Sequence, residues 1–139
     1  MQRSRTWRRA LVAALATTML LAAPADAVHR RDPVKDRMCA IDWRDGERAV
    51  RRLIRCAAER WKVPGGPHKA IAVARCESGF DPRASGNGNG GVFQHRIVYW
   101  PGRARTWGFP RASVYNGRAN VIVSVRMAHR FGWGAWSCG

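Results

Sequence analysis

The sequence predicts a small, mainly α-helical single domain stapled by two disulfides and preceded by an export leader. Three observations predict it. Apolar residues recur at helical spacing in two separate segments, around 50–61 and 121–128. Four cysteines, an even number, all lie beyond the leader. The chain has 139 residues, so once a leader is set aside one domain with a modest core remains.

The leader is read from three adjoining features. Arg3, Arg5, Arg8 and Arg9 give a charged start, Ala10–Ala23 is a short apolar run, and Pro24-Ala25-Asp26-Ala27 ends in a small-residue A-x-A site. Together these have the pattern of a signal peptide over residues 1–27. The run is too short to cross a bilayer comfortably, so no stable membrane anchor is expected after cleavage. Residues 28–40 are polar without a period and read as an N-terminal arm or linker. The domain proper is then 41–139.

Within the domain, Val50, Leu53, Ile54, Ala57 and Trp61 follow i, i+3, i+4, i+7, i+11, one face of a helix within 45–62. Pro64-Gly65-Gly66-Pro67 ends it. A second helix is expected from Pro67 or His68 and is stopped by Gly79. Residues 81–91 are rich in Gly, Asn and Ser and read as a loop. The aromatic stretch Tyr99, Trp100, Trp107, Phe109 is expected to be broken into turns by Pro101, Gly102, Gly108 and Pro110. Asn116–Arg130 is expected to be the last helix, with Val121, Val125 and Ala128 on one face. The run Val121–Val125 taken alone fits a strand as well. Trp133 and Trp136 read as core residues, while Trp100 and Trp107 are divided between core and cleft wall.

Cys39, Cys56, Cys76 and Cys138 allow three pairings. The favoured one is Cys39–Cys56 with Cys76–Cys138, the second bridge closing a long loop worth about 4 kcal/mol in the chain-entropy account. A zinc site is disfavoured, because no C-x2-C or H-x3-5-H spacing occurs. A calcium loop from Asp81 fails as well, with Arg83 and Val92 where ligands are needed. Neither a metal nor a cofactor is expected.

The formal net charge is +16, from 25 Lys+Arg against 9 Asp+Glu. Such a surface favours anionic partners. For an exported chain these are cell-wall polymers and lipid headgroups. Nucleic acid is not expected, since none of its recognition motifs is present.

The acids are distributed unevenly. None follows Asp81, so a two-carboxylate glycosidase would have to pair Glu77 with Asp81 or with an acid of residues 32–59. Asp81 reads as a loop cap. No G-x-S-x-G elbow occurs, and the histidines at 29, 68, 95 and 129 are scattered, His95 being the one of interest. Glu77 sits in the last turn of a short helix, where the helix dipole and partial burial oppose its ionised form, a placement suited to a general acid. The pattern favours chemistry that needs one acid/base group.

At these residues the chain resembles a known family. Glu77-Ser78-Gly79-Phe80-Asp81-Pro82, Gly91-Val92-Phe93-Gln94, Trp100, Tyr115-Asn116, Gly132-Trp133 and Trp136-Ser137-Cys138 look like a lysozyme-like transglycosylase domain of the soluble lytic transglycosylase type, in a small secreted actinobacterial form. The resemblance spans residues 65–139. Val92 stands where Leu or Met is usual, and Val114-Tyr115-Asn116-Gly117 only approximates the family's A-Y-N-A-G stretch.

The resemblance implies a lysozyme-like helical fold with a glycan cleft. It implies a secreted, cell-wall-associated enzyme, monomeric on size, acting on peptidoglycan strands. Glu77 would protonate the oxygen between N-acetylmuramic acid and N-acetylglucosamine, then take the proton of the muramoyl C6 hydroxyl as that oxygen closes a 1,6-anhydro ring. Ser78 would support Glu77 or the sugar, while Gln94, Tyr115 and Trp100 would contact the glycan. Two other functions compete. One is a hydrolytic muramidase on the same fold, with Asp42 or Asp45 as base. The other is a non-catalytic cationic wall-binding protein.

Overall fold

The computed structural model describes residues 39–139, so the signal peptide and nearly all of the arm lie outside the described residues. The chain enters through a 3-10 turn at Trp43–Asp45, whose start is capped by Asp42 accepting from the Arg44 N–H. Helix α1, Glu47–Trp61, buries Ala49, Val50, Leu53, Ile54, Ala57 and Ala58 and leaves its arginines mostly outward. Its apolar stripe is the one expected, with Trp61 half-buried at its end. Lys62 ends the helix in a left-handed conformation, its N–H donating to Ala58 O.

Helix α2, Gly66–Ser78, packs on α1. Pro67 occupies its first turn, where a missing N–H costs nothing. Gly79 closes it at φ 62 with its N–H on Arg75 O, a left-handed position that glycine takes without a Cβ penalty. Glu77 and Ser78 are thereby placed in the final turn, just before the chain reverses.

The loop expected over 81–91 proves to be partly sheet. Strands β1 (Ser85–Gly86), β2 (Asn89–Gly90) and β3 (His95–Arg96) form a small antiparallel sheet in the order β1-β2-β3. Ser85 pairs with Gly90 and Gly86 with Asn89, so Asn87-Gly88 is a two-residue hairpin turn, both residues at positive φ. Gly90 pairs with His95 across β2 and β3, leaving 91–94 as the connecting loop.

A second correction concerns 100–106. Trp100–Thr106 is helix α3, not a series of turns, and Pro101 sits at its start rather than breaking it. Helix α4, Gly117–Phe131, is capped by the Asn116 side chain, which accepts from the Ala119 N–H. It is a helix, not a strand, and it is buried on nearly every side: residues Gly117 through Val125 are all buried. A helix buried around its circumference belongs at the centre of a domain, and α1 and α3 both pack against it.

One core joins these elements, from Val50, Leu53 and Ile54 of α1 through Val73 of α2 to Val121, Ile122 and Val125 of α4, with Phe93, Trp133 and Trp136 completing it. Arg126 of α4 lies over the rings of Trp61 and Trp107 and donates to Trp107 O, tying α1 and the end of α3 to α4. Two disulfides staple the fold, Cys39–Cys56 and Cys76–Cys138, the favoured one of the three pairings. Such bridges fit an oxidising compartment. Among the described residues no helix is long and apolar enough to cross a membrane.

Candidate active site around Glu77

Glu77 is half-buried at the C-terminal end of α2. Its Oε1 accepts two hydrogen bonds from one distant segment: Ser137 Oγ at 3.1 Å and the Cys138 N–H at 3.2 Å. Cys138 is bonded to Cys76, the residue before Glu77, so the donors are tied covalently beside the acid they serve. The same segment is anchored by Trp136, whose Nε1–H donates to Phe93 O at 2.9 Å.

The other acids among the described residues are all exposed and otherwise engaged or remote. Asp42 pairs with Arg44 and Glu47 with Arg51. Asp81 accepts the Arg83 N–H at 2.8 Å, the loop-capping role its position before a proline suggested. Asp45 and Glu59 are exposed on or beside α1. Glu77 is therefore the one carboxylate among the described residues that is withdrawn from full solvent exposure.

The connecting loop 91–94 lies beside it and is held from four directions. Ser78 Oγ donates to Val92 O at 2.6 Å, which joins the residue after Glu77 to the loop. Gly91 N–H donates to Ala84 O. Asn120 of α4, fully buried, accepts the Phe93 N–H at 2.8 Å and donates to Gly90 O and Val114 O. Gln94 Nε2 donates to Gly91 O at 2.9 Å and Ala84 O at 3.1 Å. Gly91 is needed here for two reasons: its φ is 80, and a Cβ would run into the Asn120 side chain and Val114 O. Gln94 itself takes φ 45 and Phe80 φ 70, so two non-glycine residues flanking the site hold a conformation that must be stabilised by their surroundings.

The expected site residues thus part company. Glu77 is held by Ser137 and Cys138, while its chain neighbour Ser78 and Gln94 hold the 91–94 loop. Tyr115 borders it: the residue is exposed, and its ring lies so close over Gly90 that a Cβ there would meet it at 3.0 Å. Trp100 does not join them, which corrects its assignment as a glycan contact. It is 4% exposed, its Nε1–H is used on Ala112 O, and its ring tilts against His95, so it is a core residue. Ser78 and the Gln94 amide donate to backbone carbonyls, so their visible work is to hold the loop. Trp133 and Trp136 are core residues, as their spacing suggested.

Asn120 and Ser137 were missed. An asparagine inside an apolar helix gives no pattern to read, and a serine near a cysteine is unremarkable. His95, the histidine of interest, belongs to a buried chain of hydrogen bonds rather than to the acid. Arg103 reaches Nδ1 at 2.9 Å, and since a guanidinium only donates, Nδ1 must be the acceptor. Nε2–H then donates to Ser124 Oγ at 2.7 Å, and Ser124 donates to Asn120 O. Burial, and after it the Arg103 charge, pushes the imidazole down to about 3, so His95 is neutral at neutral pH. Partial burial lowers Arg103 from its ordinary value as well, with nearby Tyr99 opposing.

An open cavity of about 660 Å³ lies elsewhere, lined by Asp45, Glu47, Arg48, Ala49, Arg51 and Arg52 at the start of α1. Glu77, Ser78, Gln94, Trp100 and Tyr115 do not line it; Asp45, a candidate base for the hydrolytic alternative, does. Among the described residues no group of three His, Cys, Asp or Glu side chains is placed to hold a metal ion. Comparison of the chain with protein-family models, with curated proteins and with solved structures gives no match.

Proposed function

We propose that this chain is an exported lytic transglycosylase of the lysozyme-like type, cleaving peptidoglycan glycan strands with Glu77 as its one acid/base group. The observation that carries the reading is the isolation of Glu77. Among the described residues it is the one acid drawn back from solvent, its Oε1 is held by two donors, and Asp81 nearby in sequence is engaged in its own turn.

A single held carboxylate suits a reaction in which one group gives a proton and takes one back. Protonated Glu77 would deliver its proton to the glycosidic oxygen as the C1–O bond breaks, the bonding pair leaving with that oxygen. The C6 hydroxyl oxygen of the same muramoyl residue would then bond to C1, and its proton would return to Glu77. Neither water nor a second carboxylate enters. A hydrolase would need a base for water; of its candidates, Asp42 is paired with Arg44 and both it and Asp45 are exposed before α1. The basic surface would hold the enzyme on anionic wall polymers.

The test is digestion of purified peptidoglycan by the oxidised protein 28–139 and its Glu77→Gln variant, with the soluble fragments weighed by mass spectrometry. Wild type is expected to release fragments lighter by one water than hydrolytic products, and Glu77→Gln none. Reducing-end products would make the enzyme a hydrolase. Binding by both proteins without release would make it a wall-binding module.

A further inference from the structure

We propose that Ser137 is a positioning residue for Glu77: together with the Cys138 N–H it fixes carboxylate oxygen Oε1, so that Oε2 alone carries the proton to and from the sugar. This rests on the reading of Glu77 as the acid/base group.

The two donors reach the same oxygen from one side, at 3.1 Å from Ser137 Oγ and 3.2 Å from Cys138 N. A glutamate side chain has three rotatable bonds, and two donors on one oxygen orient its last one. The donors are themselves fixed. The indole of Trp136 is buried against Phe93 and Trp133 and donates to Phe93 O. Cys138 is covalently bound to Cys76. The Gly139 N–H donates to Trp136 O, which closes the turn over Ser137. Ser137 stands exposed on that turn, with its hydroxyl hydrogen-bonded to Glu77.

An exposed serine contributes little to packing, so this bond matters through what it orients. No hydrogen bond among the described residues reaches Oε2. The proton of the protonated acid therefore sits on Oε2, since Oε1 faces two donors. Oε2–H gives that proton to the leaving glycosidic oxygen, and Oε2 takes the proton of the attacking C6 hydroxyl, so the carboxyl group ends as it began. Ser137 keeps its own proton throughout.

The experiment compares wild type, Ser137→Ala, Ser137→Thr and Glu77→Gln, all oxidised, on a soluble oligosaccharide of the wall glycan. Ser137→Ala is expected to lower kcat about ten-fold, equivalent to about 1.4 kcal/mol, with KM unchanged. The Cys138 N–H still holds Oε1, so activity is reduced rather than abolished. Ser137→Thr is expected to recover most of kcat, because it restores the hydroxyl. Matching melting curves would show that the fold of each variant is intact. An unchanged kcat in Ser137→Ala, a loss confined to KM, or a threonine variant as slow as alanine would each overturn the proposal while leaving Glu77 in place. An active Glu77→Gln would overturn the reading of Glu77, and this proposal with it.

Discussion

Because His95 is buried as the neutral base, the fold has an acid weakness whose size follows from the structure. The unfolded chain binds a proton on this imidazole near the ordinary pKa of 6.5, whereas the native state resists it down to about 3. Between those values the unfolded state holds more protons, so stability rises with pH. The contribution is fully present above about 6.5, shrinks as pH falls through that value, and levels off only near 3. Each pH unit inside the window is worth about 1.4 kcal/mol, so moving from pH 7 to pH 5 removes about 2 kcal/mol. Out of the 5–15 kcal/mol typical of a domain, roughly, that is a large share.

The perturbation is His95→Gln, which keeps one donor and one acceptor for Ser124 and Arg103 but has nothing to titrate. Urea denaturation of both oxidised proteins at pH 7, 6 and 5 gives the two pH slopes. Wild type is expected to lose about 2 kcal/mol more than the variant between pH 7 and pH 5, all other titrating groups being common to both. Parallel slopes would refute the reasoning, because they would mean that the imidazole protonates as readily in the native state as in the unfolded chain.

Two further predictions concern the same scaffold. Asn120→Ala leaves the Phe93 N–H and the Gly90 and Val114 carbonyls short of a buried partner; at about 1–3 kcal/mol for each unpaired group, a loss of at least about 3 kcal/mol is expected in urea denaturation. Replacing both members of a bridge by alanine should cost more for Cys76–Cys138, which spans 62 residues, than for Cys39–Cys56, which spans 17. Chain entropy gives about 4 against about 3 kcal/mol, which thermal melting of the two double variants would rank.

The helices were legible where burial is one-sided or where a cap is explicit. The α1 stripe, the Gly79 stop and the bounds of α4, expected as Asn116–Arg130, lie within two residues of their expected places. The disulfide pairing followed from asking which bridges would staple the helices. What escaped did so for physical reasons. Two-residue strands carry no alternation, although Asn87-Gly88 is a strong hairpin dipeptide whose signal was available. Pro101 and Gly102 read as breakers because the start of a helix and its interior look alike until the N-terminus is located. Asn120 lies in the first turn of α4, where its side chain serves mainly a loop 27 residues away in the chain. At the site, Glu77 could be singled out from the uneven acids and the family-like motif, but its donors at 137 and 138 could not, since nothing local in a serine or an amide announces a partner about 60 residues earlier.

These long-range bonds form one connected path. Asn120 fixes Phe93 by its N–H, and the Phe93 carbonyl accepts Trp136. Trp136 leads directly into Ser137 and Cys138, which hold Glu77. Returning from the acid, Ser78 fixes Val92, the residue before Phe93. The same four-residue loop thus anchors both the chain neighbour of Glu77 and the tryptophan segment that carries its donors. Because the Arg103–His95–Ser124 chain ends on the Asn120 backbone carbonyl, the first half of α4 is where core polarity and site geometry meet. Core packing alone would have been served by a leucine at 120. An asparagine there is explained by the need to hold a glycine-bearing loop, full of backbone donors and acceptors, in one conformation against the acid.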